Sequence, residues 1–555
     1  MRRLYIYMMA ACLLSSAISC KRDFLDRDPY GVLNETDYFK TNDAGLKLVT
    51  SCYQPMLDGW GYTVNKIAIG DESVDNADAG GSDPGDRPQT TEVGKGRPLS
   101  SNPLLFETWS NRFQGIGKCN IALDALKRES NNLVSNGAPL PPETIARYFA
   151  EIKFLRAWYY FDLLTVFKEV PLITTVEEPS TRKAKATVGE LRAQLYIDLD
   201  EAIQEPNFPR SYELPSSEAG RATKDAAYAL KARAALFFAG LMEQGKMVGG
   251  AQDEYLIAKE AAGEVVKSGQ LSLLPDFQDL FRGDYQVGPF SKECIFGVMR
   301  KYDPAYGLTG DPFAIMNVGR NNVGGWGGDT PTRDLAASYN TADPRKMFTI
   351  ISHNDIFKTA NGGEEVHNYR GYFNDYNLQQ SRKAFVPQAY RQQNDLQRSN
   401  WQPYWIRYSE VLLMYAEGLA RTGGNINEAL EYLNQVRRRA FVTTSKIDEP
   451  AIYRAFGKDL KDMSDAEFNA NYAITGSDNI LTAIKRERRA ELALEGLRLY
   501  DLIRWGEYTS TMKAFYQKYG FADKGRDASD NSWPFPIPQI EIDRSNGVLV
   551  QHSNY

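Results

Sequence analysis

Two stretches with small and apolar residues at helical spacing constrain the fold of this chain most. They lie at residues 223–269 and 408–440, and each predicts two helices joined by a short turn. Small residues at the contact positions let antiparallel helices approach closely, as in tetratricopeptide repeats. A single pair cannot bury its own apolar face, so several pairs must stack. The contact positions are Ala227, Leu230, Ala234 and Phe238 with Ala258, Ala261, Ala262 and Val265, and Leu412, Tyr415, Ala416 and Leu419 with Ala429, Leu433 and Val436.

Further amphipathic segments extend this pattern. Residues 149–167 and 191–203 form a weaker third pair, and Thr187 and Ser464 each precede a glutamate by three residues, which is the pattern of a helix capping box. The sequence predicts a mainly α-helical, tetratricopeptide-like scaffold. The predicted helices are residues 104–128, 143–168, 188–205, 223–242, 253–268, 405–422, 427–440 and 480–506.

Two long segments, residues 58–103 and 301–404, interrupt the helical pattern. Both are rich in Gly, Asn, Asp and Tyr and contain few helical periods. Loops of this length inside a compact domain are uncommon and are usually functional. We expect both excursions to consist of loops and short strands that form a ligand-binding face on the helical scaffold.

The N-terminus has the pattern of an exported lipoprotein. Two arginines precede a short apolar run, and the small residue Ser19 precedes Cys20. These features are typical of a secretory signal. Residues 17–20 resemble a bacterial lipobox, in which the cysteine is acylated, with Ala17 where leucine is usual. We predict a signal peptide at residues 1–19, lipidation at Cys20 and membrane contact through that lipid only; an unlipidated secreted protein is the alternative.

The composition excludes several classes of function. Removal of the signal peptide takes away two arginines and no acids, so the formal charge changes from −6 to −8. Such a protein is poorly suited to bind nucleic acid. The chain has five cysteines and three histidines, but no His-x-x-x-His or Cys-x-x-Cys pair, no Walker-type phosphate loop and no Gly-x-Ser-x-Gly motif. We therefore expect no disulfide framework, no metal site, no cofactor and no catalytic triad.

Two short patterns have a structural and a functional interpretation. Gly115, Ile116 and Gly117 are a near miss for a dinucleotide-binding loop, but the helical period continues through them, which favours close helix packing. The acids between residues 71 and 86 lack the spacing of a calcium loop and favour a solvated acidic loop.

Several motifs spread along the chain identify a family. The motifs are FLRAWYYFDL at 154–163, VPL at 170–172, ARAALF at 232–237, RYSEVLLMYAE at 407–417, ERRAELA at 487–493, DLIRWG at 501–506 and PFPIP at 534–538. With these motifs in this order, the sequence resembles the SusD/RagB family of outer-membrane nutrient-binding lipoproteins, which occur beside TonB-dependent transporters.

The resemblance implies one SusD-like domain over residues 20–555. Its N-terminal helical part covers about 20–270 and its C-terminal part about 271–555. It further implies a lipid-anchored protein of the outer-membrane surface. Such a protein binds an oligosaccharide or polysaccharide and delivers it to a SusC-like TonB-dependent transporter, acting as a lid on the barrel. Most of the motif residues have structural roles. The charges that follow Arg488 at steps of three and four predict ion-pair scaffolding.

Candidate ligand-binding residues come from the chemistry of sugar recognition. Flat aromatic faces pack on the C–H-rich faces of sugars, while Asp, Asn and Arg bond their hydroxyl groups. Side chains of both kinds concentrate in the two excursions. The candidates are Trp60, Tyr62, Asp75, Asn76 and Arg87 in the first, and Tyr302, Tyr306, Arg320, Asn321, Trp326 and Tyr372 in the second.

Two alternatives remain open from sequence. Tetratricopeptide-like arrays often bind peptides, so the same architecture could capture a peptide nutrient. A helical glycoside hydrolase would need two opposed carboxylates, and the 71 acids of the chain include none in a recognisable catalytic motif. We therefore expect a binding protein and not an enzyme.

Overall fold

The computed structural model describes residues 38–555, apart from residues 179, 282–287, 289, 301, 304, 306–307, 321–323, 359–362, 370, 387–400 and 443–462. The predicted signal peptide and Cys20 lie outside the described residues. Within them, no helix combines the length and apolarity that crossing a membrane requires.

Long helices dominate the N-terminal half. Helix α6 (Val188–Gln204) begins with the predicted capping box, in which Thr187 accepts a hydrogen bond from the Glu190 amide and the Glu190 carboxylate accepts one from the Thr187 amide. The helices are α1 (Ala44–Tyr53), α2 (Asn65–Ile67), α3 (Pro88–Gly94), α4 (Pro103–Glu129), α5 (Pro142–Phe167), α6 (Val188–Gln204), α7 (Lys224–Glu243) and α8 (Ala251–Val266).

The C-terminal half mixes two long helices with many short ones. The helices are α9 (Phe313–Met316), α10 (Arg333–Ser338), α11 (Arg345–Thr349), α12 (Tyr372–Asn377), α13 (Tyr408–Arg421), α14 (Ile426–Phe441), α15 (Asp465–Asn471), α16 (Ile480–Leu492), α17 (Arg498–Arg504), α18 (Tyr508–Tyr519) and α19 (Gln539–Arg544).

The long helices pack on one another in pairs along the chain. Helix α4 packs on α5, α5 on α6, α7 on α8, α8 on α13 and α13 on α14. The alanines predicted at the contacts are buried, and one hydrophobic core extends through the array from both halves of the chain. The mainly α-helical, tetratricopeptide-like fold class is confirmed.

The prediction of one helix over residues 480–506 is wrong. The chain forms α16 and α17, separated by a break in which Leu494 and Gly496 adopt positive φ angles of 65° and 77°. In this break the Gly496 backbone contacts Gly70 so closely that a Cβ on Gly70 would overlap the Gly496 carbonyl. The Gly496 amide donates a hydrogen bond to the Asp71 carboxylate. Close approach of a buried segment therefore overrides the helical period.

The strands are short and antiparallel. The strands are β1 (Ala77–Gly80), β2 (Val134–Ser135), β3 (Ala138–Pro139), β4 (Cys294–Gly297), β5 (Tyr302–Asp303), β6 (Leu308–Thr309), β7 (Gly328–Pro331), β8 (Ile350–Ser352), β9 (Ile356–Lys358), β10 (Glu364–Val366), β11 (Gln379–Ser381) and β12 (Tyr404–Arg407). Strand β1, in the first excursion, pairs with β7, in the second, with Ala77 opposite Pro331 and Gly80 opposite Gly328. The other pairs are β2 with β3, β4 with β12, β5 with β6, β8 with β11 and β9 with β10.

The first excursion is more helical and more buried than predicted. Wide helical turns at Gly59–Val64 and Ala68–Glu72 flank α2, and every residue from 61 to 80 is buried. This stretch lies between the scaffold and the second excursion. The exposed residues of the first excursion therefore lie at residues 58–60 and after residue 81.

The charges that follow Arg488 form a buried ion-pair network, as predicted. Glu491 contacts Arg407 at 3.0 Å, Arg439 at 2.6 Å and Arg345 at 3.1 Å. Burial would raise the pKa of the Glu491 carboxyl, but the guanidinium groups outweigh it and hold the pKa well below its ordinary value. This network joins α11, α14, α16 and β12.

Candidate functional site

Two exposed tryptophans, one from each excursion, stack on each other. The rings of Trp60 and Trp326 are 5.6 Å apart between centroids and inclined by 10°. Trp60 is 47% exposed and Trp326 is 39% exposed. Large aromatic side chains are usually buried, so a pair held at the surface is a candidate binding platform.

Local backbone bonds fix Trp60. The Asp58 carboxylate accepts hydrogen bonds from the amides of Trp60 at 3.1 Å and Gly61 at 3.0 Å, which caps the helical turn that begins at Gly59. A Cβ on Gly59 would collide with the Pro312 ring. The glycine therefore allows the first excursion to touch the second beside the tryptophan.

The glycine-rich sequence at 324–328 places Trp326. The Trp326 amide donates to the Ile315 carbonyl at 3.1 Å, and the Gly327 amide donates to the Val318 carbonyl at 2.7 Å. A Cβ on Gly325 would collide with the Val318 backbone. Because Gly325 carries no side chain, the segment that leads into β7 can pack closely against the backbone at Ile315 and Val318, while the Trp326 side chain stays partly exposed.

An arginine–aspartate pair lies beside the rings. Arg320 donates to the Trp326 carbonyl at 2.9 Å and contacts the Asp86 carboxylate at 2.6 Å. Hydrogen bonds from the amide and hydroxyl of Ser82 lower the pKa of the Asp86 carboxyl. Asp86 is therefore an ionised hydrogen-bond acceptor at neutral pH. Its partner Arg320 is a donor whose guanidinium group carries several N–H bonds.

The rings and these polar groups line a cleft of about 420 Å³. Arg87, on its floor, contacts the buried Glu72 carboxylate at 2.6 Å. Burial raises the pKa of Glu72 to about 7, although Arg87 opposes the shift. The Arg87 guanidinium group thus lines the cleft while its partner, Glu72, is buried.

Five polar residues of the cleft were not predicted as ligand-binding residues: Asn65, Asp86, Gln89, Thr90 and Glu107. Asn65 donates to the Glu107 carboxylate at 3.0 Å, and Gln89 lies near them at the N-terminal turn of α3. Asn65 and Glu107 stand in helical segments, where nothing in the sequence distinguishes them from ordinary helix residues. Asp86 belonged to the acidic loop that we expected only to be solvated.

Three predicted residues lie in the interior instead of at the ligand surface. Tyr62 is buried, donates to Asp162 at 2.9 Å and accepts from Trp158 at 2.5 Å. The Asn76 amide donates to Asp71 at 2.7 Å. The buried Asp75 pairs with two arginines, as described next. Their neighbours are scaffold residues, because the chain from 61 to 80 passes through the interior.

Asp75 is held by Arg498 at 2.9 Å and Arg489 at 3.0 Å. Burial would raise the pKa of its carboxyl, but the two guanidinium groups hold it below its ordinary value. Asp75 therefore links the first excursion to α16 and α17, and its polarity serves the fold.

The remaining candidates fall elsewhere. Tyr306 and Asn321 lie outside the described residues. Tyr302 is in β5, opposite Thr309 of β6, and its side chain lies outside the described part. Tyr372 is exposed on a neighbouring surface at the start of α12. The structure thus brings Trp60, Arg87, Arg320 and Trp326 together in the cleft.

The arrangement suits binding of a polar ligand with apolar faces. Aromatic faces provide apolar contact, and Arg320, Asp86, Asn65 and Gln89 surround them with donors and acceptors.

Comparison with known proteins identifies the family. The model of the SusD family matches residues 292–555, and a SusD-like model described as starch-binding associating with outer membrane matches residues 99–236. SusD-like protein P2 of Formosa agariphila is 24% identical, covering 98% of each chain. Surface glycan-binding protein A from Bacteroides thetaiotaomicron, in complex with laminarihexaose, is 22% identical with a TM-score of 0.68, covering 93% of this chain and all of that one. A laminarin binding SusD-like protein is 24% identical with a TM-score of 0.66, covering 94% of this chain and all of that one. With two family models that together match most of its length, the chain belongs to the SusD family.

Proposed function

We propose that this protein is a non-catalytic glycan-binding protein of the cell surface that delivers its ligand to a TonB-dependent transporter of the outer membrane. The observation that carries the proposal is the stacked, exposed pair Trp60 and Trp326 beside Arg320 and Asp86. The two rings offer an apolar platform for a sugar, and the ion pair offers a donor and an acceptor to its hydroxyl groups.

Laminarin is the first ligand to test. Two relatives of this fold carry laminarin or laminarihexaose in their names. Their low sequence identity supports the choice of probe and leaves the identity of the sugar to experiment. The panel therefore also contains starch, xylan, mannan and pectin, together with a peptide digest for the alternative ligand class.

The first prediction concerns the tryptophan pair. The mature protein is expected to be retarded in a native affinity gel by at least one polysaccharide, and the double variant Trp60→Ala with Trp326→Ala is expected to lose that retardation. Loss of both aromatic faces should weaken the free energy of binding by about 1–3 kcal/mol, or the affinity by roughly tenfold to hundredfold.

Incubation of the protein with the polysaccharide should release no reducing ends, because a non-catalytic protein does not hydrolyse its ligand.

Tyr212→Ala is the matched control. Tyr212 is 47% exposed in the segment that connects α6 to α7, and it does not line the cleft. Melting temperatures of all variants test folding. Retention of the double variant at the wild-type level, sustained hydrolysis, or binding of peptides in place of glycans would each contradict the proposal.

A further inference from the structure

A second group of aromatic rings lies on the surface next to the cleft. Tyr372 and Tyr376, one turn apart on α12, both lie nearly parallel to Phe521: the centroids are 4.8 Å and 3.8 Å from that of Phe521, with inclinations of 21° and 3°. Tyr372 is 43% exposed. Arg333 lies over the Tyr376 ring at 4.3 Å. We call Tyr372, Tyr376 and Phe521 the tyrosine platform.

The platform is built by a buried anchor and an unusual turn. Phe373, between the two tyrosines, is buried and packs edge-on against Phe521 at 5.6 Å. Phe521 stands in a turn in which Gly520, Ala522 and Asp523 have φ angles of 58°, 51° and 58°. Left-handed conformations are strained for non-glycine residues such as Ala522 and Asp523, and such strain concentrates at functional sites. Despite this strain, the turn holds the Phe521 ring beside Tyr372 and Tyr376.

The platform is continuous with the cleft. The Tyr372 amide donates to the Ser82 carbonyl at 2.9 Å, and Ser82 bonds the Asp86 carboxylate that pairs with Arg320. Gly81, which lines the cleft, lies against Gly371, since a Cβ on Gly371 would be 3.4 Å from the Gly81 carbonyl oxygen. The turn at residues 82–86 therefore joins Tyr372 to the Arg320–Asp86 pair of the cleft.

We propose that the tyrosine platform is a second subsite for the same glycan chain, so that the protein prefers polymers to short oligosaccharides. This inference rests on the proposed function. The continuity of the two surfaces favours a ligand that enters the cleft and continues across the Ser82 turn. Tyr372, backed by Phe521, offers a second aromatic face for a later sugar of the chain. Two linked contacts on one ligand strengthen each other, because the second forms at high effective concentration.

The test compares ligand lengths. Each polysaccharide that retards the wild-type protein in the affinity gel is titrated by calorimetry, together with its own oligosaccharides down to the shortest that binds. Tyr372→Ala and Phe521→Ala are expected to weaken binding of the polymer about tenfold and to leave the shortest oligosaccharide unchanged. Trp60→Ala should weaken every length. Tyr212→Ala is the control, and melting temperatures verify folding.

The outcomes separate the two proposals. If the wild-type protein binds no glycan, the proposed function fails and the second subsite fails with it. If Trp60→Ala weakens binding while Tyr372→Ala weakens none of the ligands, only the second subsite is overturned. An equal loss at every length would also overturn it, because Tyr372 would then act through the cleft.

Discussion

Trp60 and Trp326 owe their exposure to the residues beside them. Gly59 and Gly325 let the backbone pass where a side chain would collide, and Asp58 holds the turn that carries Trp60. An aromatic pair gains about 0.5–1.5 kcal/mol beyond the area that it buries. Stacking therefore stabilises the surface rings before a ligand arrives, which reduces the entropy lost on binding.

The buried Glu72 beneath the cleft predicts a pH dependence of stability. Burial raises its pKa from 4.5 to about 7, so between these values the folded protein binds more protons than the unfolded chain. The stability contributed by this group therefore falls as pH rises through that window. Glu72→Gln removes the effect. We therefore expect the variant to gain stability relative to wild type as the pH rises from about 5 to about 8, which is seen as a rise in its melting temperature relative to that of wild type. The corresponding change in the relative free energy of unfolding is at most about 3 kcal/mol.

The comparison uses Glu431→Gln as its control, because Glu431 is an exposed glutamate on α14. Thermal melts at both pH values isolate the ionisation of Glu72 from any constant cost of the substitution. A difference between variant and wild type that stays constant or decreases with pH would contradict the raised pKa.

At the scale of elements, small residues decide how closely the helices pack. Gly115 and Gly117 lie on α4, two positions apart. A Cβ on Gly115 would overlap the Tyr159 ring of α5, whereas a Cβ on Gly117 would meet nothing within 4 Å. The helix-packing interpretation of this glycine pair is confirmed, because both residues are helical and one is a contact.

This pair predicts opposite effects of the same substitution. Gly115→Ala should destabilise the protein by about 1–3 kcal/mol, since Tyr159 is buried and hydrogen-bonded to the Cys52 carbonyl at 2.8 Å and has little room to move. Gly117→Ala should stabilise it by up to about 1 kcal/mol through helix propensity. Chemical denaturation measures both. Equal effects of the two substitutions would contradict the close packing of Gly115 on Tyr159.

At the scale of the whole molecule, the cleft exists because distant parts of the chain meet. Pairing of β1 with β7 joins the first excursion to the second, and the helical array below supports both. The core residues of that array come from both halves. A rigid scaffold under the loops holds the site in position without a ligand.

The predicted lipid anchor belongs to this scale. Cys20→Ala should move the protein from the membrane fraction to the soluble fraction, because acyl chains contribute about 0.8 kcal/mol per buried methylene and several chains make attachment stable. Fractionation followed by immunoblotting measures the shift, with Cys52→Ala as the control. A wild-type protein found in the soluble fraction would contradict lipidation.

The predicted lid movement requires a flexible link near residues 21–28 and a larger interface elsewhere. Crosslinking of the mature protein to a co-purifying transporter should give links from residues 21–60. Co-purification without such links would contradict the hinge.

The sequence alone determined the scaffold. The alanine-rich pairs at 223–269 and 408–440 and the capping box at Thr187 act within one helix or between adjacent helices. The charges after Arg488 follow the helical period, although their partners include Arg407 of β12 and Asp75 of the first excursion. Periodicity and capping are local properties, so a reader of the sequence can recognise them. Five of the seven family motifs lie in or overlap helices, whereas VPL at 170–172 and PFPIP at 534–538 lie outside them.

Only the tertiary structure decided which loop residues form the cleft. Trp60 and Tyr62 are two positions apart with similar chemistry, yet one is exposed and the other bonds Asp162 in the core. Helical turns and the β1–β7 pairing direct neighbouring side chains to opposite environments. Asn65 and Glu107 joined the site only because helices from different parts of the chain meet there. Burial depends on contacts between residues far apart in sequence, and local patterns carry no record of them.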